Sequence, residues 1–217
     1  EDSYRNSISA VHPGAGSSRL QHWAEMLTNK YERWTNENQY DLEELDRLDL
    51  GRGTDYRRDR LRGMAVYHAP LNGEAAAALD QAFEQLTEGA EVAEESVTVK
   101  GRKVTARQAA RGVARFTFAE LCAKPLGAED YLALARRFHT LVIEGVPKLT
   151  GERRNEARRF MNLVDALYEH RVNLILSAEA PPQELYPEGD GAFEFERTVS
   201  RLMEMQAEDY IAAEHRG

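Results

Sequence analysis

The 217-residue chain carries 28 Lys and Arg against 37 Asp and Glu, a net charge of -9, with 42% apolar and 30% charged residues. That length can bury a real hydrophobic core, and the acidic balance argues against a general nucleic-acid binder, which needs surplus cations for phosphate. No run approaches the ~20 apolar residues of a membrane span, no basic-then-apolar leader opens the chain, and the single cysteine, Cys122, excludes an internal disulfide. The reading is of a soluble cytoplasmic protein.

Residues 1–48 read as an N-terminal arm with no assigned role. They contain a Gly/Ser-rich patch, His12–Ser18 (HPGAGSS), a polar helical stretch from Arg19 to Trp34, and a short helix, Asp41–Leu48. A local basic patch follows at Thr54–Arg62 (TDYRRDRLR). The portion 49–127 then alternates strand and helix. Met64–Ala69 has the period of a strand with one buried face, and Pro70 and Gly73 end it. Ala75, Ala78, Leu79, Ala82, Phe83 and Leu86 recur at helical spacing, with Gly89 closing the helix. Ser96–Lys100 and Lys103–Arg107 flank Gly101-Arg102 as a tight hairpin, a small β subdomain that a strand at Val113–Phe118 could join.

The portion 128–217 is the most informative. Ala128–Phe138 reads as a helix, His139–Glu144 (HTLVIE) as an apolar strand, Glu152–His170 as a long helix and Val172–Ser177 (VNLILS) as a second apolar strand. Two near-continuously apolar strands joined by such a helix form a parallel βαβ unit, spanning 139–178, with a right-handed crossover. One long helix, Phe193 to Ala213, finishes the chain. The fold class is α/β: a partial P-loop-type parallel sheet with a hairpin and a C-terminal helix.

Ligands of open parallel sheets bind beyond the C-terminal ends of the strands. Glu144 ends the first apolar strand, and Ser177 and Glu179 end the second. An acid there could hold Mg²⁺ or polarise water, and a small polar residue could sense phosphate; equally, strand ends are wet and carboxylates there are simply solvated. Arg197 and Arg201, one helical turn apart, could reach a phosphate, or could pair with Glu194 and Glu204 on a solvated face. HPGAGSSR lacks the Lys of a phosphate-cradling loop and follows no apolar strand, so it reads as a linker. Cys122 could be a nucleophile or a small buried residue. The six histidines show no metal-ligand spacing.

Five runs in unbroken order, Gly53–Arg57 (GTDYR), Arg115–Cys122 (RFTFAELC), Asp130–Pro147 (DYLALARRFHTLVIEGVP), Glu156–Tyr186 (EARRFMNLVDALYEHRVNLILSAEAPPQELY) and Phe195–Tyr210 (FERTVSRLMEMQAEDY), resemble the ZapE and AFG/LACE-type ATPase family over residues 49–213. The resemblance implies a P-loop ATPase of AAA+ type that couples ATP hydrolysis, with Mg²⁺, to cell division or to the regulation of protein partners. It also implies a division-ring or membrane-protein type of partner, peripheral membrane association, oligomerisation, and a nucleotide-sensing role for Arg197 and Arg201. The family's Walker A loop, Walker B acids, sensor and Arg-Phe motif precede the GTDYR run, and residues 1–48 hold none of them. The expectation is therefore a C-terminal portion without a catalytic residue or cofactor of its own, inactive alone; the alternative is a stand-alone interaction module. Residues 139–186 also repeat the rhythm of the family's preceding half: strand with terminal acid, helix, strand with polar end, Pro-Pro, Leu-Tyr.

Overall fold

The computed structural model describes Arg60, Leu61 and Gly63–Gly217. The arm 1–48, the GTDYR run and most of the basic patch lie outside those residues.

Six strands form one sheet in the order β1-β6-β5-β4-β3-β2. These are β1 (Tyr67–His68), β2 (Ala93–Val99), β3 (Arg102–Ala110), β4 (Val113–Thr117), β5 (Thr140–Val146) and β6 (Asn173–Ala178). Strands β1, β6, β5 and β4 run parallel, whereas β4-β3 and β3-β2 are antiparallel. The expected strand at Met64–Ala69 contracts to two residues, because only Tyr67 and His68 pair with β6, at Leu176 and Ser177.

Both hairpin turns are encoded by positive-φ residues. Lys100 and Gly101 (φ 49° and 82°) join β2 to β3, and Arg111 and Gly112 (φ 51° and 75°) join β3 to β4. Two left-handed residues in succession match the right-handed twist of the strands they connect. Gly112 is required twice over: its φ of 75° is left-handed, and a Cβ there would lie 2.7 Å from His139 Cδ2.

Helix α1 (Gly73–Thr87) begins where Asn72 Oδ1 accepts from the Ala75 N–H at 2.8 Å, the side-chain cap that satisfies an orphan donor. Its buried stripe of Leu79, Ala82, Phe83 and Leu86 covers Val66, Val113, Val142 and Ile175 on one face of the sheet. The alternate residues Ala114, Phe116, Leu141, Ile143, Leu174 and Leu176 face the other side. There they meet α2 (Ala128–Arg137) and α3 (Arg154–Glu169). This double cover explains why β5 and β6 read as continuous apolar runs.

Helix α4 (Ala192–Glu204) packs on α3. Phe160, fully buried, lies 5.9 Å from the Phe118 ring centroid and stacks on Phe195 at 6.3 Å. The C-terminal helix stops at Glu204, short of the expected Ala213, and a single turn, α5 (Glu208–Ile211), follows. The break at extended Ala207 swings Tyr210 inward, so that its hydroxyl reaches the carbonyls of Leu167 and Val172. Residues 215–216 lie against the ends of two helices: His215 Nε2 is 2.7 Å from the Ala135 carbonyl, and the Arg216 N–H donates to the His170 carbonyl at 2.8 Å.

Candidate functional site

The βαβ unit places Glu144, Ser177 and Glu179 at the C-terminal ends of adjacent parallel strands, where a register shift opens β5 from β6 between Ile143 and Val146. Each is occupied by its own surroundings. Ser177 Oγ accepts from the Gly145 N–H at 3.0 Å, closing the opened register. Glu179 Oε2 accepts from the Lys148 N–H at 2.7 Å, and the Glu179 N–H donates to the Val146 carbonyl at 2.8 Å. These bonds hold the loop that follows β5 against the end of β6.

Glu144 pairs with Arg115 of β4, whose guanidinium also donates to Asp80 of α1 at 2.6 Å. Arg115 stands 5.9 Å from the Phe83 ring centroid, in cation–π range. Burial works to lower its pKa, but the bonds and charges of Asp80 and Glu144 outweigh that and raise it, so this cation persists at any ordinary pH. One arginine thus ties β4, β5 and α1 together, with Glu144 as its strand-end anchor. Arg115 lay within the RFTFAELC run; its bond to Glu144 was invisible in sequence because it depends on the register that sets Thr117 opposite Glu144.

Arg197 and Arg201 converge on one carboxylate, Asp165 of α3, Arg197 at 2.6 Å. Arg201 also lies 4.9 Å from the Tyr168 ring centroid and 3.8 Å from Glu169. Its side chain is only 18% exposed, whereas that of Arg197 is 66% exposed. Glu204, one of the two acids weighed as an i,i+3 partner, accepts from the Tyr168 hydroxyl at 2.8 Å. The arginines sit on the α3 side of the sheet and Glu144 on the α1 side, so the two candidate groups do not meet.

A neighbouring cation carries a local strain. Arg171 has φ 55° just past α3, where the Arg171 N–H donates to the Tyr168 carbonyl and the Val172 N–H to the Leu167 carbonyl. That is a Schellman closure, a position that glycine usually fills. The Arg171 guanidinium rests 5.5 Å from the Tyr168 ring centroid and 5.1 Å from that of Tyr210, contacts that a glycine could not make.

Cys122 is fully buried, and desolvation raises its thiol pKa far from the range of a reactive thiolate. Among the described residues no three His, Cys, Asp or Glu side chains are grouped as a metal ion requires, and no helix is long and apolar enough to cross a membrane. A cleft of about 320 Å³ between α1 and the residues preceding β1 is lined by Arg60, Met64, His68, Gln81 and Gln85. It brings together none of the five residues singled out from sequence.

Comparison with known proteins supplies what this geometry leaves open. The model of the AFG1-like ATPase family matches residues 42–214. The cell division protein ZapE of Escherichia coli is 35% identical over 170 residues, 78% of this chain and 45% of ZapE. Lactation elevated protein 1 homolog B of Danio rerio is 31% identical, over 75% of this chain and 39% of its own. The chain thus spans less than half the length of either relative. A separate, shorter match of 41 residues, 19% of the chain, is 46% identical to peptide chain release factor 2 of Petrotoga mobilis, covering 11% of that protein. No solved structure matches.

Proposed function

Because the chain belongs to the AFG1-like ATPase family, we propose that it is the C-terminal portion of a ZapE-like ATPase of AAA+ type. It would act on ATP and Mg²⁺ only where a P-loop-bearing segment completes the site. Phosphoryl transfer depends on a loop whose backbone N–H groups and Lys cradle the phosphates, and the sequence of residues 1–48 holds no such pattern. The observation that carries the reading is the family match over residues 42–214, and the pairing of the charged candidates supports inactivity of the chain alone. Asp165 pairs with both Arg197 and Arg201, and Arg115 pairs with Glu144, so these side chains serve the fold before they serve a nucleotide.

Within a complete enzyme, Arg197 is the residue we would place toward the γ-phosphate. It is the more exposed of the two and can exchange Asp165 for phosphate charge; Arg201, packed against Tyr168, would hold the helix in place. The E. coli relative is named as a cell division protein, and we carry that role to this chain as cytoplasmic contact with a protein partner.

The test is phosphate release and fluorescent-ATP titration on the purified chain with Mg²⁺. Hydrolysis at the level of the blank and no saturable binding are expected. Tight Mg²⁺-dependent binding would overturn the proposal. A second reading, a stand-alone interaction module without nucleotide chemistry, is favoured by the same pairing of Arg197 and Arg201. It predicts partner binding that is indifferent to added ATP and to a P-loop-bearing fragment supplied in trans.

A further inference from the structure

Phe193 is 81% exposed, far above the other large apolar residues at the described surface, Leu71 and Val92 at 42% and Met203 at 48%. It stands in the first turn of α4, on the side turned away from buried Phe195, Thr198 and Leu202.

Its position is fixed by the loop before it. The Tyr186 hydroxyl donates to the Asp190 carbonyl at 2.7 Å, and Arg154 pairs with the Asp190 carboxylate at 2.5 Å. Gly189, at φ 124°, packs so closely on Tyr186 that a Cβ there would lie 3.0 Å from the hydroxyl oxygen. Gly191, at φ 99°, opens the helix, its carbonyl accepting from the Phe195 N–H at 3.0 Å. A side chain presented on so constrained a loop loses little freedom on binding.

Acids predominate on this corner of α4, where Arg197, one turn along from Phe193, is already paired with Asp165. Glu188, Glu194 and Glu196 are exposed beside it, and Asp190, also exposed, is the member already paired with Arg154. Such a surround repels acidic partners and attracts cations, while the ring offers apolar contact and a π face for Lys or Arg. We propose that this corner of α4 docks a basic segment of another protein, Lys- or Arg-rich with interspersed aliphatic side chains. The inference uses none of the residues invoked for nucleotide, but its surface adjoins Arg197, one turn along the same helix.

Fluorescence anisotropy on the full chain tests it, with a labelled 12-residue peptide of alternating Lys and Leu as the probe. Peptides of Lys and Ser, and of Glu and Leu, serve as controls. The Lys/Leu peptide is expected to bind, with both controls much weaker. Phe193→Ala should weaken binding about tenfold, the size of a modest anchor residue, at an unchanged melting temperature. Replacing Glu188, Glu194 and Glu196 with Gln should flatten the salt dependence. Equal binding by wild type and Phe193→Ala, or by the Lys/Leu and Lys/Ser peptides, would overturn the proposal. So would self-association in sedimentation velocity that Phe193→Ala abolishes, because the occupant would then be a second copy of this chain.

Discussion

Replacing Glu144 with Gln separates two roles for the strand-end acid, strut or site. In the structure Glu144 meets Arg115, whose side chain is 18% exposed, and Asp80 shares that arginine. The substitution keeps the shape and one acceptor oxygen but removes the charge. Hydrogen bonds to charged groups contribute about 1.5–3 kcal/mol, and partial exposure reduces this toward the surface-pair range of up to ~1 kcal/mol. A loss of about 1–2 kcal/mol follows. For a domain of this size that is a fall of roughly 2–8 °C in melting temperature. Asp80, 58% exposed at its side chain, should cost less than about 1 kcal/mol as Asn. A double-mutant cycle with Arg115→Met isolates the pair, and a coupling of about 1 kcal/mol is expected. The readouts are thermal melts by circular dichroism and a fluorescent-ATP titration on the same samples. Unshifted melts with zero coupling, together with a changed nucleotide titration, would refute the strut and return Glu144 to a site.

Gly112→Ala should cost about 2 kcal/mol or more, because it combines a left-handed backbone with a clash on His139. Gly101→Ala at φ 82°, with open space around it, should cost only about 1 kcal/mol; urea midpoints compare them. Asp165→Ala leaves Arg197 and Arg201 without their shared carboxylate and should destabilise by about 1–2 kcal/mol, with Asp165→Asn milder, again read from urea midpoints. Cys122 should resist a thiol reagent in the native protein and react once urea exposes it; fast native labelling would contradict its burial. Above pH 10 the protein should unfold as its tyrosines ionise. Burial raises the pKa of Tyr67, Tyr131 and Tyr210 above their ordinary 10.0. A raised folded-state pKa gives stability that is full below the unfolded value and lost as pH rises through the folded one. Absorbance at 295 nm and far-ultraviolet ellipticity should therefore change together.

What sequence could yield here followed the range of the interactions. The βαβ unit was legible because a strand buried on both faces must be apolar along its centre, and Leu141–Ile143 and Leu174–Leu176 are. Gly101 announced its turn, read as Gly101-Arg102 and found one residue earlier at Lys100-Gly101, whereas the Arg171 closure of α3 was hidden, since its left-handed residue carries a side chain held by two tyrosines. The break after Glu204 escaped notice because Glu204–Glu208 (EMQAE) are good helix formers with no Gly or Pro, and the turn is marked only by the destination of Tyr210. The partners of Glu144 and Arg201 lie 29 and 36 residues away, and no local pattern records such pairings.

The strand of backbone at residues 215–216 has a consequence for handling the protein. His215 contacts the Ala135 carbonyl in the last turn of α2, and the Arg216 N–H donates to the carbonyl of His170, the residue just past α3. A protease cut anywhere between Ala207 and His215 would therefore release contacts at the ends of two neighbouring helices in a single event. Limited proteolysis monitored by intact mass should show such nicking and global unfolding appearing together, with no stable trimmed core between them.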